Sequence, residues 1–99
     1  MPLKKYVKAA GERKRYSIDY SDWLDTGELL SQVDFTIPGN STTTPLVVDD
    51  VAIQPDSLGV QYYVSGGEDG IQYEVVATAT TSGAQTKIDD LLFTIREPS

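Results

Sequence analysis

Short runs in which apolar and polar side chains alternate recur along the whole chain, separated by clusters of glycine, proline, asparagine and serine. In one of them, Ile71, Tyr73 and Val75 share one face and Gln72 and Glu74 share the other. A period of two is that of a β-strand with one buried face. No stretch has a convincing helical period, and strand-like runs broken by turn residues are typical of all-β proteins. We therefore predict an all-β fold.

Seven strands are predicted, together with a bulge, a glycine-rich loop and a tight hairpin turn. The ranges are 3–8 (an edge strand or a loose arm), 13–20, 29–37, 46–54, 59–65, 71–79 and a last strand through Leu91, Phe93 and Ile95. The inward side chains of the third strand are predicted to be Leu29, Val33, Phe35 and Ile37. Asp49-Asp50 interrupts the fourth strand and indicates two pieces joined at a bulge. The loop 66–70 holds three glycines that can adopt positive φ, and Ser82-Gly83-Ala84 predicts a tight hairpin.

The chain's one tryptophan follows the first clear strand. Ser21 to Asp25 predict a single helical turn, with Ser21 as its N-cap and Gly27 in the left-handed closing conformation. Trp23 lies in this turn, either as an exposed anchor for a partner or as a lid that packs with Leu24 and Leu29 over one end of the core. We favour the lid, because such a turn directly after a strand commonly caps a core and tryptophan is highly buried on average.

About seven short strands in 99 residues fit an immunoglobulin-like or fibronectin-like Greek-key sandwich. We assign residues 13–99 to that sandwich and residues 1–12 to a basic N-terminal arm or edge strand. The spacing Gly70-x-x-Tyr73-x-Val75 matches a tyrosine corner, in which a tyrosine near the start of the penultimate strand bonds back across the corner. Val75 stands where antibody domains have cysteine, and Trp23 is too early in the chain for their core tryptophan. The sandwich is therefore not of antibody type.

The formal charge of −7 is unevenly distributed. Residues 1–15 hold six of the eight basic side chains and one acidic one, whereas residues 16–99 hold fourteen acidic side chains. An acidic body repels nucleic acid and anionic membranes, so neither is expected as a partner. For the basic end, pairing with the acidic body or an acidic neighbour is favoured over contact with phosphate.

The composition argues against catalysis. The chain has no cysteine and no histidine, which removes thiolate chemistry and the usual general base. The carboxylate pairs Asp49-Asp50 and Asp89-Asp90 are interpreted as solvated strand edges, because neighbours on a strand point to opposite faces. Glu68-Asp69 offers too few oxygens for calcium. No enzyme activity, metal or cofactor is predicted, no run is long enough to cross a bilayer, and the sequon Asn40-Ser41-Thr42 is interpreted as turn chemistry.

With catalysis disfavoured, binding to a partner is the function left to consider. Six tyrosines supply large contact area at low entropic cost. The alternation points Tyr16, Tyr20, Tyr62 and Tyr73 inward. Tyr6 and Tyr63 are out of phase with the core. The residues predicted to bind a partner are Lys4, Lys5, Tyr6, Lys8, Arg13, Arg15 and Tyr63. The residues predicted to have structural roles are Tyr73, Trp23, Gly27 and Gly70.

Two stretches resemble a known family. The first is Tyr16-x-x-Asp19-Tyr20-Ser21-x-Trp23-Leu24-x-x-Gly27-Glu28, followed by an alternating strand. The second is Gly66-Gly67-x-x-Gly70-x-x-Tyr73-x-Val75 with the hairpin Thr80-Thr81-Ser82-Gly83. Together they resemble the phage fibre-to-tail adaptors, small immunoglobulin-like tail proteins of short-tailed phages. The first stretch is the more specific of the two.

This resemblance implies a virion structural protein of the tail that links fibres to the tail or adaptor ring. The partners it implies are other tail proteins, namely the head-to-tail adaptor or tail ring, a nozzle or tube protein and the fibre N-terminus, with the chain present in many copies. Since the N-terminus lacks a secretion signal, folding is expected in the host cytoplasm before assembly. Our hypothesis is that residues 1–15 anchor the chain to the tail ring while the sandwich presents the fibre. The alternative is a capsid or tail decoration module that binds host-surface carbohydrate.

Overall fold

The computed structural model describes residues 4–40 and 43–96 and consists of strands and turns, with no helix in those ranges. The strands are β1 (Lys4–Lys8), β2 (Lys14–Asp19), β3 (Leu30–Thr36), β4 (Leu46–Ile53), β5 (Gly59–Gly66), β6 (Gln72–Thr81) and β7 (Thr86–Ile95). The predicted all-β architecture of about seven strands is confirmed. Part of the predicted arm, residues 1–3, lies outside the described residues, as do Ser41 and Thr42 of the sequon and residues 97–99.

Two sheets pack on one shared core. One has the strand order β1-β7-β6-β3 and the other has the order β2-β5-β4. β1 runs parallel to β7, whereas the other pairings among the described strands are antiparallel. This order is compatible with the expected immunoglobulin-like arrangement.

The core side chains come from the inward positions of both sheets. The members that the alternation predicted are all buried: Ile18, Tyr20, Val33, Val60, Tyr62, Val64, Tyr73, Val75, Ala77, Ala79, Leu91, Phe93 and Ile95. In β5, β6 and β7 these buried positions alternate with more exposed ones, as expected for strands that bury one face.

Two apolar residues predicted to point inward are exposed instead. Leu29 is 45% exposed and its neighbour Leu30 is buried, because the pairing of β3 with β6 shifts register between Leu30 and Gln32. A bulge of this kind adds one residue and reverses the phase of the alternation on its two sides. Ile71 is 42% exposed, since it precedes the start of β6.

The predicted interruption of β4 is confirmed. The register with β5 shifts between Asp49 and Ala52, and Asp50 has a φ of +49°. A positive φ is uncommon for a residue other than glycine, although aspartate tolerates it better than most. The bulge therefore bends the outer strand of the three-stranded sheet at its two carboxylates.

The turn predicted after β2 is present as a single isolated turn, but Ser21 is not its N-cap. Residues 21–24 form a turn, in which the N–H groups of Trp23 and Leu24 both donate to the carbonyl of Tyr20. The Asp19 side chain binds the turn instead, since its Oδ1 accepts from the N–H of Ser21 at 2.9 Å, while the N–H groups that a Ser21 cap would bind already donate to Tyr20. This bond lowers the pKa of Asp19. The positive φ predicted for Gly27 is confirmed at +83°.

The tyrosine corner is present. The N–H of Glu68 donates to the Tyr73 hydroxyl at 2.9 Å, and that hydroxyl donates to the carbonyl of Thr44 at 3.0 Å. The three glycines of the adjoining loop all have positive φ, as predicted. At Gly67 a β-carbon would also lie 2.8 Å from Ile95 Cγ1, so both backbone conformation and space require glycine there.

Candidate functional site

The seven residues predicted to bind a partner separate into two groups. Arg13, Arg15 and Tyr63 lie on or beside the outer face of the three-stranded sheet. Lys4, Lys5, Tyr6 and Lys8 belong to β1, at the edge of the other sheet. The two groups differ in exposure and in bonding, so they differ in what they offer a partner.

The first group is organised around Tyr63. In the register of the sheet, Tyr63 lies opposite Arg15 on β2 and opposite Asp49 on β4. The guanidinium carbon of Arg13 lies 4.1 Å from the centroid of the Tyr63 ring. The same guanidinium donates through Nη2 to Asp49 Oδ1 at 3.1 Å and to Asp50 Oδ2 at 2.7 Å. We call these five residues, Arg13, Arg15, Asp49, Asp50 and Tyr63, the Tyr63 face.

Local structure explains this arrangement. The inward positions of β2 and β5 include Ile18 and Tyr62, so the alternation leaves Arg15 and Tyr63 outward. Successive carboxylates on a regular strand would point apart. The bulge in β4 and the positive φ of Asp50 instead let one guanidinium bind both of them. The predicted pairing of the basic end with the acidic body is confirmed for Arg13.

The ion pairs of the Tyr63 face position a side chain more than they stabilise the fold. The Arg13, Asp49 and Asp50 side chains are 44%, 47% and 71% exposed, and exposed pairs contribute about 0–1 kcal/mol. Arg15 is exposed and forms no ion pair with any described residue. The face therefore combines a flat aromatic ring, a guanidinium fixed over it and a second guanidinium with open donors. Tyrosine and arginine are enriched at the centres of protein interfaces.

On β1, only Lys4 and Lys5 keep their charge at the surface. Lys8 is 1% exposed, and its Nζ donates to the carbonyls of Ala9 and Glu12, both at 2.7 Å. An ammonium group removed from water needs such acceptors, so the prediction that Lys8 meets a partner is wrong. No local pattern predicts this burial, because it depends on the pairing of β1 with β7.

Tyr6 is likewise drawn towards the interior. It pairs in register with Phe93, and the two rings stack with centroids 5.0 Å apart. Its ring also meets that of Tyr16 edge to face at 4.9 Å. Tyr6 is half-buried, so it belongs to an aromatic cluster under β1 more than to a free surface.

Of the residues predicted to be structural, Trp23 stands at the margin of the core. It is half-buried, and its ring lies edge to face with that of Tyr20 at 6.3 Å. Lys87 Nζ lies 5.5 Å from the centre of the same ring. Leu24 also packs against the core, whereas Leu29, expected to join them, is exposed.

Within residues 4–40 and 43–96 no three histidine, cysteine, aspartate or glutamate side chains are grouped to hold a metal ion. A cavity of about 20 Å³, lined by Lys4, Ile18, Asp89 and Leu91, has room for one water molecule. No helix among the described residues is long and apolar enough to span a membrane.

Comparison with known families gives one finding that bears on function. Residues 8–96 match the model of the family Gp77, described as podophage GP4 fiber-tail adaptor protein gp77. The match covers six of the seven strands in full and reaches β1 only at Lys8. A search of curated proteins found no match.

Proposed function

We propose a docking role for this chain on one premise: the chain belongs to the podophage GP4 fiber-tail adaptor family. Membership identifies it as a phage structural protein, a tail fibre adaptor. Beyond that, we propose that the chain resides in the tail of the virion and attaches to another tail protein through the Tyr63 face. The attachment is protein–protein docking without catalysis.

The observation that carries this proposal is the arrangement around Tyr63. Arg13 is held over the ring by two carboxylates, so it loses little freedom when a partner covers it. Arg15 lies opposite the same ring with open donors. The partner that fits has a carboxylate for Arg15 and a flat apolar or aromatic group for the ring. Val47, 41% exposed and two residues before Asp49 on β4, extends the contact.

The proposed adaptor role also includes partners, copy number and an anchor segment. The partners are the tail ring or nozzle on one side and the N-terminus of the fibre on the other, and many copies act together, so weak contacts multiply. Arg13 and Arg15 both belong to the segment 1–15, which supports the hypothesis that this segment anchors the chain to the ring. The division into an N-terminal segment 1–12 and a sandwich 13–99 is retained as a proposal, with folding in the host cytoplasm.

The test is incorporation into tails. Deleting residues 2–12 would remove β1 together with any anchor, so point variants are sharper. Phage carrying Arg15→Glu or Tyr63→Ala are grown, and tails are quantified for this chain and for the fibre. Arg96→Glu is the charge-matched control, because Arg96 is exposed and lies outside the Tyr63 face.

We expect Arg15→Glu and Tyr63→Ala to lower incorporation about tenfold or more, the loss typical of removing a hot-spot contact, while Arg96→Glu assembles normally. Unchanged incorporation of both face variants would overturn the proposed attachment. Normal assembly with loss of adsorption to the host would instead favour the carbohydrate-binding alternative.

A further inference from the structure

β1 is held by fewer interactions than the strand it pairs with. It has five residues, and among the described strands its only partner is β7, in parallel register from Lys4 opposite Leu91 to Lys8 opposite Ile95. Parallel pairs are slightly less stable per residue than antiparallel ones. Only Lys8 of the strand is buried, and Val7 is 60% exposed. Release of β1 therefore breaks one parallel pairing and exposes little apolar surface of its own.

The surface beneath β1 is partly polar. Tyr6 covers Phe93 and Tyr16. The Tyr16 hydroxyl is buried and has no hydrogen-bond partner among the described residues. A buried hydroxyl without a partner carries a free-energy cost that water removes. Departure of β1 would let water reach that hydroxyl, which offsets part of the lost contact between the rings.

The link from β1 to β2 can act as a hinge. Residues 9–13 join the strands, and a turn closes them, with the N–H of Glu12 donating to the carbonyl of Ala9 at 3.1 Å. Lys8 Nζ fastens this turn by donating to the carbonyls of Ala9 and Glu12. Gly11 has nothing within 4 Å of a β-carbon, so no side-chain packing holds the turn at that residue. Extended, five residues span about 17 Å, enough to pass a strand to an adjacent molecule.

We propose that β1 is exchanged between copies of this chain, the strand of one copy pairing with β7 of a second. A second copy fits this edge, since its β1 has the side chains that already pair with β7. The family match begins at Lys8, so the accepting six strands are the part shared with the family and most of the donated strand lies outside it. Exchange of an identical element gives new contacts at low cost, as a reciprocal dimer or a closed ring.

This inference concerns contacts between copies and does not depend on the Tyr63 face. Its test uses cysteine pairs, because the chain has no cysteine of its own. Val7 and Thr94 are opposite in the β1–β7 register. In the double variant V7C/T94C, oxidation links a closed chain to itself and an exchanged chain to its neighbour. The matched control is T78C/I88C, whose positions are opposite within the β6–β7 hairpin, where no hinge permits exchange.

We expect oxidised V7C/T94C to give covalent dimers and longer ladders on non-reducing gels, in a fraction that rises with protein concentration. In the control the disulfide should form within each chain. We expect on the order of tenfold less protein linked between chains than in V7C/T94C at the same concentration. Adding Lys8→Met to V7C/T94C should raise the linked fraction, because the turn loses the ammonium that fastens it.

Two results would overturn the inference. One is V7C/T94C linked only within single chains, at every concentration and in isolated tails. The other is equal ladders from the control, which would show association without strand exchange. If V7C/T94C fails to fold, K5C/L92C, two register positions away, gives the same readout.

Discussion

Tyr73 and Thr44, 29 positions apart, are joined by a 3.0 Å hydrogen bond from the phenol O–H to the backbone carbonyl. The same oxygen accepts from the N–H of Glu68. One side chain therefore connects the loop before β4 to the loop before β6. We expect Tyr73→Phe to lower the free energy of unfolding by about 1–3 kcal/mol, because it leaves two part-buried backbone groups without their partner.

Urea unfolding measures this loss, and Tyr63→Phe is the control. The Tyr63 hydroxyl makes no hydrogen bond to any residue in the ranges 4–40 and 43–96, so its removal should change stability by less than about 0.5 kcal/mol. Equal stability of the two variants would show that the corner bonds do not hold these loops.

Backbone conformation gives opposite effects at two turn residues. Gly70 has a φ of +87° with free space around it, so Gly70→Ala should destabilise the fold by about 1 kcal/mol through strain alone. Ala84 has a φ of +63°, so Ala84→Gly should stabilise it by about 0.5–1 kcal/mol. Gly11→Ala, at a glycine without positive φ, should be neutral or slightly stabilising. Thermal denaturation of the three variants checks the signs, and a destabilising Ala84→Gly would refute the argument.

Alkaline pH should unfold the protein through its buried tyrosines. Burial raises the pKa of Tyr62. The pKa of Tyr20 is also raised, mainly by burial and to a smaller extent by the negative charge of the nearby Asp89. A raised folded-state pKa leaves stability intact below the unfolded value of about 10 and removes it as the pH climbs towards the folded value. Each of these tyrosines should then cost about 1.4 kcal/mol per pH unit above that point.

The measurement is urea unfolding at a series of pH values. Tyr20→Phe should reduce the alkaline slope by the share of one tyrosine and leave neutral stability almost unchanged, since the Tyr20 hydroxyl has no hydrogen-bond partner among the described residues. A slope that does not change in this variant would place the alkaline transition elsewhere.

The ion pairs of the Tyr63 face should matter little for folding. Arg13→Ala removes both exposed pairs and the contact with the Tyr63 ring, and we expect a loss of less than about 1 kcal/mol. The comparison with D49N/D50N, which removes the carboxylates and keeps the ring contact, separates the two contributions. A loss above about 3 kcal/mol for Arg13→Ala would mean that the site is part of the structural core.

Local patterns predicted the features that depend on neighbours in sequence. The alternation from Tyr73 to Ala79 identified the buried face of β6, and the glycines of loop 66–70 identified its turn. The doublet Asp49-Asp50 identified the bulge in β4, because charged neighbours interrupt a strand that has one buried face.

The features that were missed depend on long-range pairing. Leu30 is buried in place of Leu29 because of a bulge in β3. The register of that bulge is set by the pairing with β6, about fifty residues away. The burial of Lys8 follows from parallel pairing with β7, near the other end of the described chain. The Tyr63 face needs Arg13 to meet carboxylates 36 and 37 positions away. Alternation contains no information about such distances.

A cryo-electron reconstruction of isolated tails tests the central claim most directly. The claim is that this sandwich is a docking adaptor attached through the outer face of β2, β5 and β4. The account expects the chain at the junction of fibre and tail, with Arg15 and Tyr63 buried against another tail protein. A chain located at that junction with this face open to solvent, or a tail that lacks the chain, would contradict it.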